Sequence, residues 1–162
     1  MTTKKAIFRK QIGLSLLLLS VLLSSACGTK LIHGESPLVR MTELSHLDNN
    51  INLQLNFRNL NGVDLYVRSI DMRLSVNDDE DELIVYDGPV ETNIVANGTE
   101  SWSVEVAESE TSRKLLNSLE NGDIKSLPYV LKGSVISKDD GKLHFEYEGH
   151  IYPLPGKPGH FR

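Results

Sequence analysis

This chain of 162 residues has one cysteine, one tryptophan and a deficit of cations, 17 Lys and Arg against 22 Asp and Glu. A single cysteine leaves no partner for an intrachain disulfide, so the fold rests on packing and backbone hydrogen bonds. The acidic balance does not suit nucleic acid or an anionic membrane face. Also missing are the arrangements that catalysis requires. Ser134 and Ser137 stand in no G-x-S-x-G setting and have no assignable His-Asp partners. His33, His46, His144, His150 and His160 are scattered, and His144 and His150 on a straight strand would lie about 20 Å apart. The acidic stretch "NDDEDE" lacks the glycine and distal glutamate of a calcium loop and reads as a solvated hairpin loop. No catalytic residue, no metal site and no cofactor is expected.

The long apolar run is also limited. From Ile12 to Ala26 it has 15 residues, whereas a membrane-spanning helix needs about 20. Lys4, Lys5, Arg9 and Lys10 precede it without an acid, which is the order of an export signal. The run ends in Leu23-Ser24-Ser25-Ala26-Cys27, followed by Gly28 and Thr29. This stretch resembles a bacterial lipobox, with Ser24 where that signal favours leucine. The resemblance implies cleavage between Ala26 and Cys27, a diacylglyceryl thioether on Cys27 and an N-acyl chain. At least two chains meet the condition for stable anchoring. Gly28, in place of aspartate, resembles the outer-membrane sorting pattern of a diderm host, with the domain in the periplasm.

The expected organisation is a signal peptide at 1–26, a lipid-anchored tether at 27–37, a folded domain at 38–154 and an irregular tail at 155–162. Removing the signal takes away four cations and no acid. What remains is 13 cations against 22 acids, a formal charge of −9. The mature length suits one domain with one core.

Within that domain the hydrophobic period is two. "INLQLNF" puts Ile51, Leu53, Leu55 and Phe57 on one face and Asn52, Gln54 and Asn56 on the other. "VDLYVRSIDMRLSV" changes phase near Arg68 and Ser69, which calls for a bulge or a crossing between sheets. "LIVYDG", "VETNIVANG" and "ESWSVEV" read as short extended segments, with Trp102 in the core. "SETSRKLLNSLENG" instead carries Leu115, Leu116 and Leu119 at helical spacing; Ser109 or Thr111 can cap its start and Gly122 its end. "YVLKGSVIS" and "KLHFEYEGHIY" form a hairpin across "KDDGK". The tail "PLPGKPGHFR" has three prolines and cannot enter a sheet centre. About seven strands and one short helix point to a mainly β fold, an antiparallel β-sandwich of immunoglobulin or fibronectin III kind.

The order from "INLQLNFRNLNGVDLYVRSIDMRLSV" through "NIVANGTESWSVEV", a helix, "LPYVLKGSVIS" and "FEYEGHIYPL" is similar to the late embryogenesis abundant type 2 domain. That domain is also called the water stress and hypersensitive response (WHy) domain. Its Asn-Pro-Asn turn has a counterpart in Asn59-Leu60-Asn61 followed by Gly62, without the proline. Asparagine side chains can bond nearby backbone and tolerate left-handed conformations, while Gly62 relieves the turn sterically. The resemblance implies a non-enzymatic role in water stress or envelope structure. The alternative is a binding module, either an adaptor for envelope proteins or a carrier of an apolar ligand. The membrane, reached through the lipid, is the one partner that follows directly.

Overall fold

Four alternating apolar residues, Ile51, Leu53, Leu55 and Phe57, are fully buried along one side of a single strand. That strand belongs to a computed structural model that describes residues 34–77 and 81–162. In chain order the elements are β1 (Leu38–Leu47), β2 (Asn50–Arg58), β3 (Leu65–Val76), β4 (Asp81–Ile94), β5 (Thr99–Ala107), α1 (Glu110–Glu120), β6 (Leu127–Ser137), β7 (Gly141–Ile151) and β8 (His160–Phe161). They form two four-stranded antiparallel sheets, ordered β5-β2-β1-β8 and β4-β3-β6-β7. The expected antiparallel β-sandwich with one helix is therefore present, with eight strands among the described residues.

The phase change in β3 is a bulge. Pairing with both β4 and β6 shifts between Val67 and Ser69, so Leu65 and Val67 face the core together with Ile70, Met72, Leu74 and Val76. One extra residue turns the later set back inward without moving the strand to the other sheet. β1 uses the same device. Its pairing with β2 shifts between Met41 and Glu43, and this brings Val39 and Leu44 to the same buried face.

Two expectations need correction. "LIVYDG" and "VETNIVANG" are not separate segments; β4 runs unbroken through Gly88 and Pro89. A proline is tolerated there because β4 is an edge strand, whose outward side has no ladder to complete. The tail 155–162 is not irregular throughout. It returns as β8 at the edge beside β1, with Leu44 opposite Phe161, and the Phe161 ring is fully buried. Burial of one aromatic side chain outweighs the cost of ordering a proline-rich segment that is already stiff.

α1 begins at Ser109, whose hydroxyl accepts from the Ser112 backbone N–H at 3.0 Å, and ends at Asn121 with Gly122 at φ 81°. Both ends are thus satisfied as the sequence implied. Leu116 and Leu119 enter the core, and the Ser112 hydroxyl donates to the Leu83 carbonyl at 2.8 Å, which docks the helix on β4. The β6–β7 hairpin turns through three residues, 138–140, with Gly141 at φ 74°. Trp102 is half-buried against the core, edge-on to Phe57 at 6.1 Å and tilted on Tyr86 at 5.4 Å. Across the other sheet the Tyr129 ring covers Gly149, its paired residue, where a Cβ would stand 2.7 Å from the ring.

The chain crosses between sheets four times: β2 to β3, β4 to β5, β5 to β6 through α1, and β7 to β8. The first two crossings share one end of the sandwich, and the last two share the other.

Candidate functional site

At the first end lies the Asn59–Gly62 turn. Asn59 and Asn61 are 0% and 1% exposed. The Asn59 amide N–H group donates to the carbonyls of Val63 at 2.8 Å, Ile94 at 3.0 Å and Val95 at 3.2 Å. Its oxygen accepts from the Asn61 backbone N–H at 2.8 Å and from the Asn61 side chain at 2.9 Å. Asn61 in turn accepts from the Glu35 N–H at 2.9 Å and donates to the Glu35 carbonyl at 3.0 Å. Main-chain bonds from Asn59 to Gly98 and from Asn97 to Asn61 run alongside.

Two side chains therefore join three segments: the β2–β3 crossing, the β4–β5 crossing and the chain entering β1. Leu60, between them, points to solvent and is 44% exposed. The steric reading of this turn is corrected. Neither Asn59, Asn61 nor Gly62 has a positive φ; the asparagines are needed for amide hydrogen bonds that satisfy buried backbone groups, not for a left-handed backbone. Every buried side-chain nitrogen and oxygen among the described residues has a partner.

The opposite end carries a charged cluster. His46 Nδ1 lies 3.1 Å from Glu108 Oε1, and His46 Nε2 lies 3.3 Å from Glu120 Oε2. Arg113 Nε donates to Glu108 Oε2 at 2.8 Å, and an Arg113 terminal nitrogen donates to the Asn49 side chain at 3.1 Å. Glu120 Oε1 accepts the Gly159 N–H at 3.0 Å, and His46 N–H donates to the Gly159 carbonyl at 2.9 Å. The Glu108 side chain is only 3% exposed. An imidazole carrying both ring protons satisfies both carboxylates; with one ring proton it satisfies one. Sequence reasoning did not find this cluster, because its members come from β1, the β5–α1 junction, α1 and the tail.

His144 and His150 are both exposed on the outer face of β7. His160 bonds Glu43 at 2.9 Å. Among the described residues no group of three or more His, Cys, Asp or Glu side chains could hold a metal ion, and no helix is long and apolar enough to cross a membrane. Burial, with help from the neighbouring Tyr147, pushes the Tyr129 phenol up to about 12. A hydrogen bond to Glu91 raises Tyr66 above its ordinary value. Cys27, the cleavage site after Ala26, His33 and residues 78–80 of the acidic loop lie outside the described residues.

The chain's likeness to known proteins lies in its fold. No protein-family model matches it, and no curated protein matches it. Solved structures do. A protein from Arabidopsis thaliana, known in solution, is 12% identical with a TM-score of 0.54, covering 83% of this chain and 91% of its own. A protein from Archaeoglobus fulgidus is 11% identical at a TM-score of 0.47, covering 77% and 98%. A protein described provisionally as late embryogenesis abundant is 11% identical at a TM-score of 0.43, covering 91% and 84%. At such identities the Arabidopsis likeness establishes a shared fold.

Proposed function

We propose that this chain is a non-enzymatic lipoprotein of the cell envelope, anchored through acylated Cys27, whose sandwich protects or supports neighbouring proteins when water is withdrawn. The observation that carries the reading is the Asn59–Asn61 network. A late embryogenesis abundant type 2 domain has an Asn-Pro-Asn turn between two strands, and the counterpart here, without the proline, joins the crossing loops through two buried asparagines.

The outer face of the β5-β2-β1 sheet supports it. Across the pairing, Asn52 faces Glu105 and Ser45, Gln54 faces Ser103 and Glu43, and Asn56 faces Ser101 and Arg40. This surface offers hydroxyls, amides and charges with no apolar side chain in those rows. Such a face stays hydrated and gives no flat hydrophobic template for aggregation. A protein that keeps its own surface wet can remain folded beside others that are losing water.

Two measurements test the reading. Intact mass of the membrane-extracted protein, beside a Cys27→Ser variant, reads acylation directly; a lipid increment lost in the variant is expected. A deletion strain should then survive drying and osmotic shock less well than wild type, and the purified protein should slow aggregation of a labile enzyme during dehydration. Equal survival with no protection would sink the stress role, and a stoichiometric partner recovered by crosslinking would favour the adaptor reading.

A further inference from the structure

The end of the sandwich held by Asn59 and Asn61 is also the end at which the chain enters the domain. Glu35 is bonded to Asn61, and β1 begins at Leu38 opposite Arg58, the last residue of β2. Two apolar side chains project from the loops tied together there, Leu60 at 44% exposure and Val95 at 59%. Those loops are in contact, since the Asn59 amide reaches the Val95 carbonyl at 3.2 Å. From Cys27 to Gly34 the chain advances seven residues, a reach of at most about 25 Å. Strands of this length extend about 30 Å, so Leu47 and Tyr152, which are exposed at the opposite end, lie a full sandwich length farther from the tether.

We infer that the Leu60 and Val95 loop tips are a bilayer-contact surface, and that the domain stands on the membrane by this end. The inference rests on the reading of Cys27 as acylated. Two aliphatic side chains bind a membrane weakly by themselves, but a lipid attached a few residues away makes the contact intramolecular and raises its effective concentration. The occupant is a zwitterionic phospholipid surface. Around the tips stand Asp64, which accepts from the Ala96 N–H and the Asn93 side chain, and the 138–140 turn with Asp139, Asp140 and Lys138. That turn joins this end through the Lys138 N–H to the Tyr66 carbonyl at 3.0 Å. The mature chain carries a formal charge of −9, so anionic lipid is the less favourable surface.

The test uses the full-length, membrane-extracted protein. Leu60→Cys and Val95→Cys, with Leu47→Cys and Tyr152→Cys as far-end controls, are labelled with a fluorophore and reconstituted into phosphatidylethanolamine–phosphatidylcholine vesicles containing a nitroxide-labelled lipid. Quenching at 60 and 95 should exceed that at 47 and 152 by at least about twofold, and should fall when phosphatidylglycerol is added. A Leu60→Asp, Val95→Asp double variant, whose changed side chains are solvent-exposed, should keep its circular dichroism and its vesicle binding while shedding protein from the surface zone read by quenching at an added label on Glu35→Cys. Equal quenching at both ends in protein whose mass shows the acyl increment would overturn the contact surface alone. A mass without the increment would overturn the anchor, and this inference with it.

Discussion

The two ends of this sandwich solve one problem with opposite chemistry. Each must tie two sheet-crossing segments together over a core that would otherwise open. At the tether end uncharged amides do it: Asn59 and Asn61, fully buried, bond seven groups on neighbouring segments and on each other. At the helix end the tie runs through charged side chains: Arg113 forms an ion pair with Glu108, His46 hydrogen-bonds Glu108 and Glu120, and Glu120 holds the tail at Gly159. Buried amides are costly to leave unpaired yet insensitive to salt; charges near the surface respond to it. The difference separates an end built for constancy from one whose strength depends on the medium.

The comparison can be broken most strongly at the helix end through its apolar member. Phe161→Ala should cost about 3–5 kcal/mol, measured by urea unfolding, because the ring is fully buried and links β8 to the core. If the cost were under about 1 kcal/mol, the tail would be an accessory and the ionic tie would hold nothing of consequence. Asn59→Ala comes next, at about 2–4 kcal/mol, since it strands the Ile94 and Val95 carbonyls as well as Asn61. Its cost should be the same at low and high salt.

Glu108→Ala should cost about 1–3 kcal/mol at low ionic strength, and that cost should shrink as salt rises, because Arg113 is half exposed while the Glu108 carboxylate is not. A salt-independent loss would erase the contrast between the ends. The smallest effect is at Tyr129, on the strand that follows the helix. Its phenol is raised from the ordinary 10.0 to about 12, so its contribution is fully present below pH 10 and declines as the pH climbs toward 12. Above pH 10 the unfolded chain ionises first, and stability should fall by about 1–2 kcal/mol after allowance for solvent screening. In an ultraviolet titration a tyrosine step should appear near pH 12, well above the ordinary phenol value of 10.0; Tyr129→Phe should remove that late step.

Much of the fold was legible in the sequence. β2 announced itself because its four apolar residues alternate without interruption, and α1 because Leu115, Leu116 and Leu119 share a helical face between Ser109 and Gly122. β1 was not legible. Its bulge near Thr42 puts Val39 and Leu44, an odd number of residues apart, on the same face, so the period of two is hidden. β8 was not legible either, since two residues carry no period at all. The Asn59-Leu60-Asn61-Gly62 turn was readable as a motif, while its partners at Ile94, Val95 and Glu35 were not. His46 lies 62 residues from Glu108 and 74 from Glu120, and no spacing rule links them.

What the sequence determined by itself is local: the alternation that makes strands, the capped helix, the apolar run ending at Cys27 and the pair of asparagines at a turn. These follow from side-chain period and backbone preference, which act within a few residues. Only the tertiary structure decided which end each crossing closes, which carbonyls the asparagines reach and which carboxylates flank His46. Those contacts depend on sheet order and register, and both are set when the two apolar faces meet and exclude water across the whole sandwich.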